Sequence, residues 1–233
     1  CVKGCYPKQL LKQWDDYDER KVSENDRPGI FKDDQLFIVF EFADGGCDLS
    51  AFQFDNPNQA KSVLIQTAYA LAVAEEAFEF EHRDLHIGNV LVKATEDRTV
   101  DCTIDGHKVS IETNGVHIFI IDFTMSRLKK DGVIIHCNLA DDKTLFEGEG
   151  DYQFDIYRLM KEHNGNKWDD FKPYSNIFWL HYLTDCILKK KRFKSNTRVD
   201  REVLKDIRQL FKELLDYGSA KDLVINSEFF NPS

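Results

Sequence analysis

The chain is 233 residues long, 42% hydrophobic and 12% aromatic, with a formal net charge of −10. Eighteen Phe exclude a disordered polymer. The negative balance argues against a nucleic-acid surface and favours a cationic partner, and no apolar run approaches the roughly 18 residues expected of a membrane-spanning helix.

Cys1, Cys5, Cys47, Cys102, Cys137 and Cys186 are scattered with no paired C-x-x-C spacing, the pattern of reduced thiols in an intracellular protein. The chain opens at Cys1-Val2-Lys3-Gly4 without an initiator Met or a signal-peptide pattern, as expected of a fragment that begins partway through a domain. A strand-like start and a polar segment holding Trp14 and Tyr17 lead to the loop signal Asn25-Asp26-Arg27-Pro28-Gly29. Leu36 to Phe42 then reads as a buried strand. It runs into Ala43-Asp44-Gly45-Gly46-Cys47-Asp48, where two glycines allow a tight turn and close approach of a ligand such as an adenine edge, or simply an ordinary exit from a strand.

From Gln59 to Phe80, Ala60, Val63, Leu64, Thr67, Ala68, Leu71 and Phe78 recur at helical spacing and predict one long core helix. Val90 to Lys93 is a short strand. A meander follows, turned by Asp105-Gly106 and Asn114-Gly115, with a third strand over Val116 to Ile121. Asp131-Gly132 marks one more turn, so the segment after Asp122 carries its own local structure. Helices are predicted to open at Asp155 and to cover Ser175 to Lys190 and Val199 to Leu215.

The chemistry sits in two stretches, His82-Arg83-Asp84-Leu85-His86-Ile87-Gly88-Asn89 and Ile120-Ile121-Asp122-Phe123-Thr124. Phosphoryl transfer needs one carboxylate to orient a hydroxyl, plus an amide and a second carboxylate to hold Mg²⁺ against the phosphates. Asp84, Asn89 and Asp122 occur in that order. A bare D-x-x-x-x-N means little, because Asp and Asn are common loop and cap residues. Its conjunction with H-x-D, a following strand and a later strand ending in Asp is far more specific.

His82 and His86 are four apart, yet the Arg83 beside the first His and the nearby Gly88 argue against a helical zinc pair. His82 is expected to pack and brace the turn, whereas His86 is expected to reach a phosphate or the substrate. The acidic stretch Asp141, Asp142, Glu147, Glu149 and Asp151 is either a solvated face or one wall of a groove for a Lys/Arg-rich peptide.

His82-Arg83-Asp84-Leu85, Asn89 and Asp122-Phe123 together resemble the large lobe of eukaryotic protein kinases. The resemblance to the haspin-type atypical histone serine/threonine kinases is closer still. It is carried by Asn25 to Pro28, Phe31 to Val39, His82 to His86, Gly148 to Met160, Pro173 to Asn176 and Trp179 to Asp185. The resemblance implies an α+β, mainly helical large lobe with a small β-meander, preceded by the last strands of a small lobe. Residues 1–42 would be that remnant, 43–50 the hinge and 51–233 the large lobe.

It further implies an ATP- and Mg²⁺-dependent kinase that acts during mitosis in the nucleus, on chromosomes, as a monomer. The substrate would be a threonine in the basic tail of the third core histone, with no direct nucleic-acid or membrane binding. By position, Asp84 would be the catalytic base with His86 beside it, and Asn89 and Asp122 the metal ligands. Glu41, Phe42, Ala43, Asp44, Gly45, Gly46, Cys47 and Asp48 would form the nucleotide-binding hinge. Leu91, Ile121, Phe123 and Thr124 would complete the nucleotide site.

Asp48, His86, Asp142 and Glu149 would meet the substrate. His82, Arg83 and Asp155 would be structural, Asp155 as a buried helix aspartate holding the turn from behind. Phe123 is followed by Thr124 rather than Gly and no Ala-Pro-Glu closes the segment, so that segment is expected to be ordered without phosphorylation and Arg83 to lack a phosphate partner. A Gly-rich phosphate loop, a V-A-I-K lysine and its partner glutamate are not found, so the fragment alone is expected to be inactive. Aminoglycoside- and choline-kinase-like phosphotransferases share the central motif, and a non-catalytic module that binds basic tails is a third reading.

Overall fold

A computed structural model describes residues 1–230 of the chain. Two units, Cys1–Asp44 and Gly45–Ser233, divide it. In the first, β1 (Val2–Lys3) pairs antiparallel with β2 (Leu36–Phe37). Between them lies α1 (Lys8–Lys21), a helix with no buried residue.

Two readings change here. The polar segment around Trp14 and Tyr17 is helical: Leu10, Leu11, Trp14 and Tyr17 share one face at helical spacing, although none of them is buried. The run Leu36 to Phe42 forms a ladder only over its first two residues. No strand among the described residues pairs with residues 38–42, and Ile38, Phe40 and Phe42 are exposed.

The second unit is built on α2 (Pro57–Phe78), which follows the short strand β3 (Cys47–Asp48). The side chain of Asn56 starts α2 by accepting from the amides of Asn58 and Gln59. Then come β4 (Val90–Ala94), β5 (Thr99–Ile104), β6 (His107–Glu112), β7 (Val116–Ile120), β8 (Arg127–Lys130) and β9 (Val133–His136). Helices α3 (Thr144–Glu147), α4 (Tyr152–Asn164), α5 (Tyr174–Lys190), α6 (Arg198–Glu213) and α7 (Ala220–Asn226) complete the unit. Helix α5 is buried from Ser175 through Ile187, as befits a helix at the centre of a bundle. The result is a mixed α+β fold, mainly helical, with small antiparallel sheets.

The expected meander is split. β5 and β6 form a separate hairpin, while β7 pairs with β4 in the sheet β3–β4–β7. The reason lies on α2. The buried Gln66 donates to the carbonyl of Val116 (2.9 Å) and accepts from the amide of Ile118 (3.2 Å). One side chain thus satisfies the edge of β7 that β6 would otherwise have paired.

The β4–β7 register runs from Val90 opposite Ile120 to Ala94 opposite Val116. Replacing Gln66 by Leu keeps the volume but orphans those two backbone groups. Urea unfolding of Gln66→Leu is expected to show a loss of about 2–4 kcal/mol.

Candidate active site

The antiparallel register sets the site. Asn89 stands immediately before β4 and Asp122 two residues after β7 ends, so the pairing brings both to the same end of the sheet. The amide of Ile121 closes that end by donating to the carbonyl of Asn89 (3.0 Å). Asp84 joins them because Asn89 Nδ2 donates back to its carbonyl (2.8 Å).

His82 ties the two stretches together. Its Nδ1 accepts from the amide of Asp84 (3.3 Å), and its Nε2 lies 3.1 Å from the carbonyl of Ile121. An imidazole that accepts at Nδ1 and faces a carbonyl at Nε2 is the neutral Nε2–H tautomer. Burial holds its pKa down at about 4. With both nitrogens engaged, His82 has none left for zinc.

His86 is half-buried, and its Nδ1 accepts from the amide of Gly88 (3.0 Å). Neither histidine belongs to a metal-holding group of three or more His, Cys, Asp or Glu among the described residues.

The two carboxylates differ in setting. Burial raises the pKa of Asp84 above that of an ordinary aspartate, opposed chiefly by a hydrogen bond from the Tyr157 hydroxyl. Asp122 is exposed, and Thr124 donates to its Oδ1 from both Oγ1 (2.7 Å) and the backbone amide (3.3 Å). The Thr124 side chain leads in lowering the Asp122 pKa. Arg83 and Asp122 both take positive φ, 67° and 61°, uncommon values for residues other than glycine.

A buried ion pair lies directly behind the turn. Arg83 donates through Nε and Nη2 to Glu81 (3.1 and 3.0 Å), both side chains being essentially inaccessible to water. Glu81 also accepts from the amide of Lys172 and the hydroxyl of Ser175, each at 2.8 Å. The Trp168 ring covers the guanidinium at 5.4 Å. The backbone of Glu81 exchanges two 2.9 Å hydrogen bonds with Arg127, and Ser126 Oγ donates to the carbonyl of His82 (3.0 Å).

Asp155 departs from expectation. It is exposed and pairs with Arg158, three residues on, at 2.6 Å. The backbone of the turn is held instead by the buried Asn176. Its Oδ1 accepts from the amide of His82 (3.0 Å), while Nδ2 donates to Glu75 (2.8 Å) and to the carbonyl of Phe80 (3.0 Å). Glu75 in turn accepts from the amides of Ala220 and Lys221 at the start of α7.

The other expected residues fall as follows. Glu41, Phe42, Ala43 and Asp44 are exposed, lie in the first unit and form no regular element. Gly45 and Gly46 crowd β4: a Cβ on Gly46, whose φ is +86°, would overlap the carbonyl of Val92. Close backbone packing therefore accounts for that glycine. Cys47 is exposed, and Asp48 accepts from Ser50 Oγ and the amide of Ala51.

Leu91 is half-buried in β4, opposite Asp48 on one side and Phe119 on the other. Ile121 is partly exposed, and Phe123 packs edge-on to Phe80 with its centroid 5.5 Å from that of His82. Asp142 is exposed and accepts from Thr144, and Glu149 is exposed. Among the described residues no hydrogen bond joins either one to the turn. Sequence reading missed Glu81, Asn176 and Tyr157, although the stretches Pro173 to Asn176 and Gly148 to Met160 were marked as distinctive.

An antiparallel sheet whose strand ends carry an amide and a carboxylate, beside a turn braced by buried helices, is the architecture of a kinase-like lobe. Residues 1–228 match the family described as "Haspin like kinase domain". The chain belongs to that haspin-like kinase family. It is 47% identical to the serine/threonine-protein kinase haspin of Bos taurus, with 99% of this chain and 30% of that protein covered. The Mus musculus haspin is 45% identical over 99% of this chain and 31% of that protein. The Drosophila melanogaster haspin homolog is 40% identical over 94% and 39%. The chain thus spans about a third of the length of these relatives.

Two measurements check the geometry. Glu81→Ala leaves a buried guanidinium without its counter-ion and is expected to cost about 3–5 kcal/mol in denaturant unfolding. The imidazole nitrogen resonances of His82 are expected to show the neutral Nε2–H form at neutral pH and no protonation until the pH nears 4. The unfolded state takes up that proton near the ordinary value of 6.5, so the His82 contribution to stability is complete above pH 6.5 and is lost as the pH falls toward 4.

Proposed function

We propose that this chain is the catalytic region of an ATP- and Mg²⁺-dependent protein serine/threonine kinase that acts on the basic tail of a histone. The observation that carries the reading is the joining of Asp84, Asn89 and Asp122 by strand register, the Asn89 amide and the His82 bridge. Asp84 orients the substrate hydroxyl. As the hydroxyl oxygen bonds to the γ-phosphorus and the bond to the β–γ bridging oxygen breaks, the hydroxyl proton passes to the Asp84 carboxylate.

The donor set suits a hard cation. Asn89 spends its Nδ2 on the Asp84 carbonyl, which leaves Oδ1 as a ligand, and Asp122 is held ionised by Thr124. Two oxygen ligands with phosphates and water completing the shell are typical of Mg²⁺. The bound ion would supply charge neutralisation at the phosphates. With Nδ1 occupied by Gly88, His86 presents Nε2 toward a phosphate or the substrate.

Leu91, Ile121, Phe123 and the stretch Gly45 to Asp48 would border the nucleotide, in keeping with a division into residues 1–42, 43–50 and 51–233. Asp48, Asp142 and Glu149 would supply negative charge for a Lys/Arg-rich tail, and the net charge of −10 favours such a partner. A histone substrate would place the action in the nucleus, on chromosomes, and the resemblance to haspin-type kinases adds mitosis as its time.

In the full-length protein, Asp84→Asn is expected to reduce transfer to a threonine-containing histone-tail peptide by about 10²–10⁴-fold while nucleotide affinity is retained. Turnover like that of the wild type would remove Asp84 from its role. Preferred phosphorylation of choline or an aminoglycoside over the peptide would reassign the substrate class.

A further inference from the structure

We propose that Tyr157 is a positioning residue for the Asp84 carboxylate: its hydroxyl donates to Oδ1 and so presents Oδ2 to the substrate hydroxyl. This rests on the reading of Asp84 given above and goes beyond it, because Tyr157 lies 73 residues further along the chain, in a different element.

Consider what fixes Asp84. Its amide donates to His82, and its carbonyl accepts from Asn89 Nδ2 and from the amide of His86 (3.0 Å). All of these hold the backbone. None sets the rotation of the carboxylate about its own side-chain bonds. Asn89 Nδ2 reaches Oδ2 only at 3.5 Å, the outer limit of a hydrogen bond. The close partner of the carboxylate is the Tyr157 hydroxyl, so the side-chain rotamer depends on it.

Tyr157 itself has little freedom. It is buried on the inner face of α4, and its ring meets Trp179 edge-on, with centroids 5.4 Å apart at 73°. Trp179 is wholly buried and packs in the same manner against Tyr182 at 5.4 Å and 79°. The hydroxyl is therefore carried on a rigid aromatic stack spanning α4 and α5. Burial and the neighbouring carboxylate both push the phenol well above its usual range, so it remains a donor wherever the protein is folded.

A buried tyrosine needs some acceptor, so a purely structural role is the competing account. The two differ in what the phenylalanine variant does. Tyr157→Phe keeps the ring stack and removes only the hydroxyl. In the full-length protein it is expected to lower kcat roughly ten- to a hundred-fold, as a loosened reacting group does. KM for ATP and for the histone-tail peptide is expected to stay within about twofold, because ground-state binding does not use this bond.

A loss of thermal stability with kcat unchanged would overturn the proposal. Asp84→Asn, run alongside, separates the two levels. If that variant is inactive and Tyr157→Phe is fully active, positioning by Tyr157 fails alone; if Asp84→Asn remains active, the role of Asp84 fails and takes this inference with it. Proton NMR offers a readout that does not depend on turnover or on the folding of the phenylalanine variant. The Tyr157 hydroxyl proton is expected far downfield in the wild type and gone from that position in Asp84→Ala, and an ordinary, unshifted hydroxyl in the wild type would also overturn the proposal.

Discussion

Four consecutive polar side chains, Glu81 to Asp84, are withdrawn from water, and that single constraint organises the second unit. A buried charge or amide without a partner costs more than most contacts return. The fold delivers at least one partner to each of the four side chains. Helix α5 and the loop before it supply the amide of Lys172, the hydroxyl of Ser175 and the amide group of Asn176. The end of the sheet supplies the carbonyl of Ile121, the segment beyond Asp122 supplies Ser126 and Arg127, and α4 supplies Tyr157. The turn is rigid because it is held from four directions, although Arg83 Nη1 is buried without a hydrogen-bond partner.

The Glu81–Arg83 pair has a consequence for the segment that follows Asp122. The guanidinium is neutralised inside the fold and covered by Trp168, so no anion from outside is needed to balance it. The same segment is stitched to the turn by the reciprocal Glu81–Arg127 backbone bonds and is folded on itself as the β8–β9 hairpin. Its order derives from backbone pairing and buried charge together.

How much of this was readable in the sequence follows the distance over which each signal acts. Asp84 and Asn89 lie on one turn, and Asp122 follows an apolar strand, so local spacing was enough to mark all three as candidates, and the strand register brings them together. The long helix and the later helices were legible because their apolar faces repeat. Helix α1 was passed over, although Leu10, Leu11, Trp14 and Tyr17 share one face, and it buries nothing. The split of the meander escaped because one buried amide, Gln66, decides it from another element.

The exchange of Asp155 for Asn176 and Tyr157 has the same origin. Asp155 and Tyr157 are two residues apart on α4, which places them about 200° around the helix from each other. Asp155 faces solvent and Arg158, and Tyr157 faces the turn. Motif spacing marks a stretch as important without saying which of its residues faces inward. The helix phase says that, and it is fixed by packing against Trp179.

The division of labour proposed for the two carboxylates rests on their surroundings. Two aspartates at one site repel, and both would not remain ionised equally well in the same environment. Here the environments move them apart. Burial and the Asp122 charge push Asp84 up, toward accepting a proton, while the hydrogen bonds from Thr124 hold Asp122 down, as a standing negative charge. Groups pushed apart in this way are suited to different tasks. His82 holds both segments. It fixes the spacing of the two segments through its ring nitrogens, and because burial keeps it neutral it does so without adding a charge that would blur the difference.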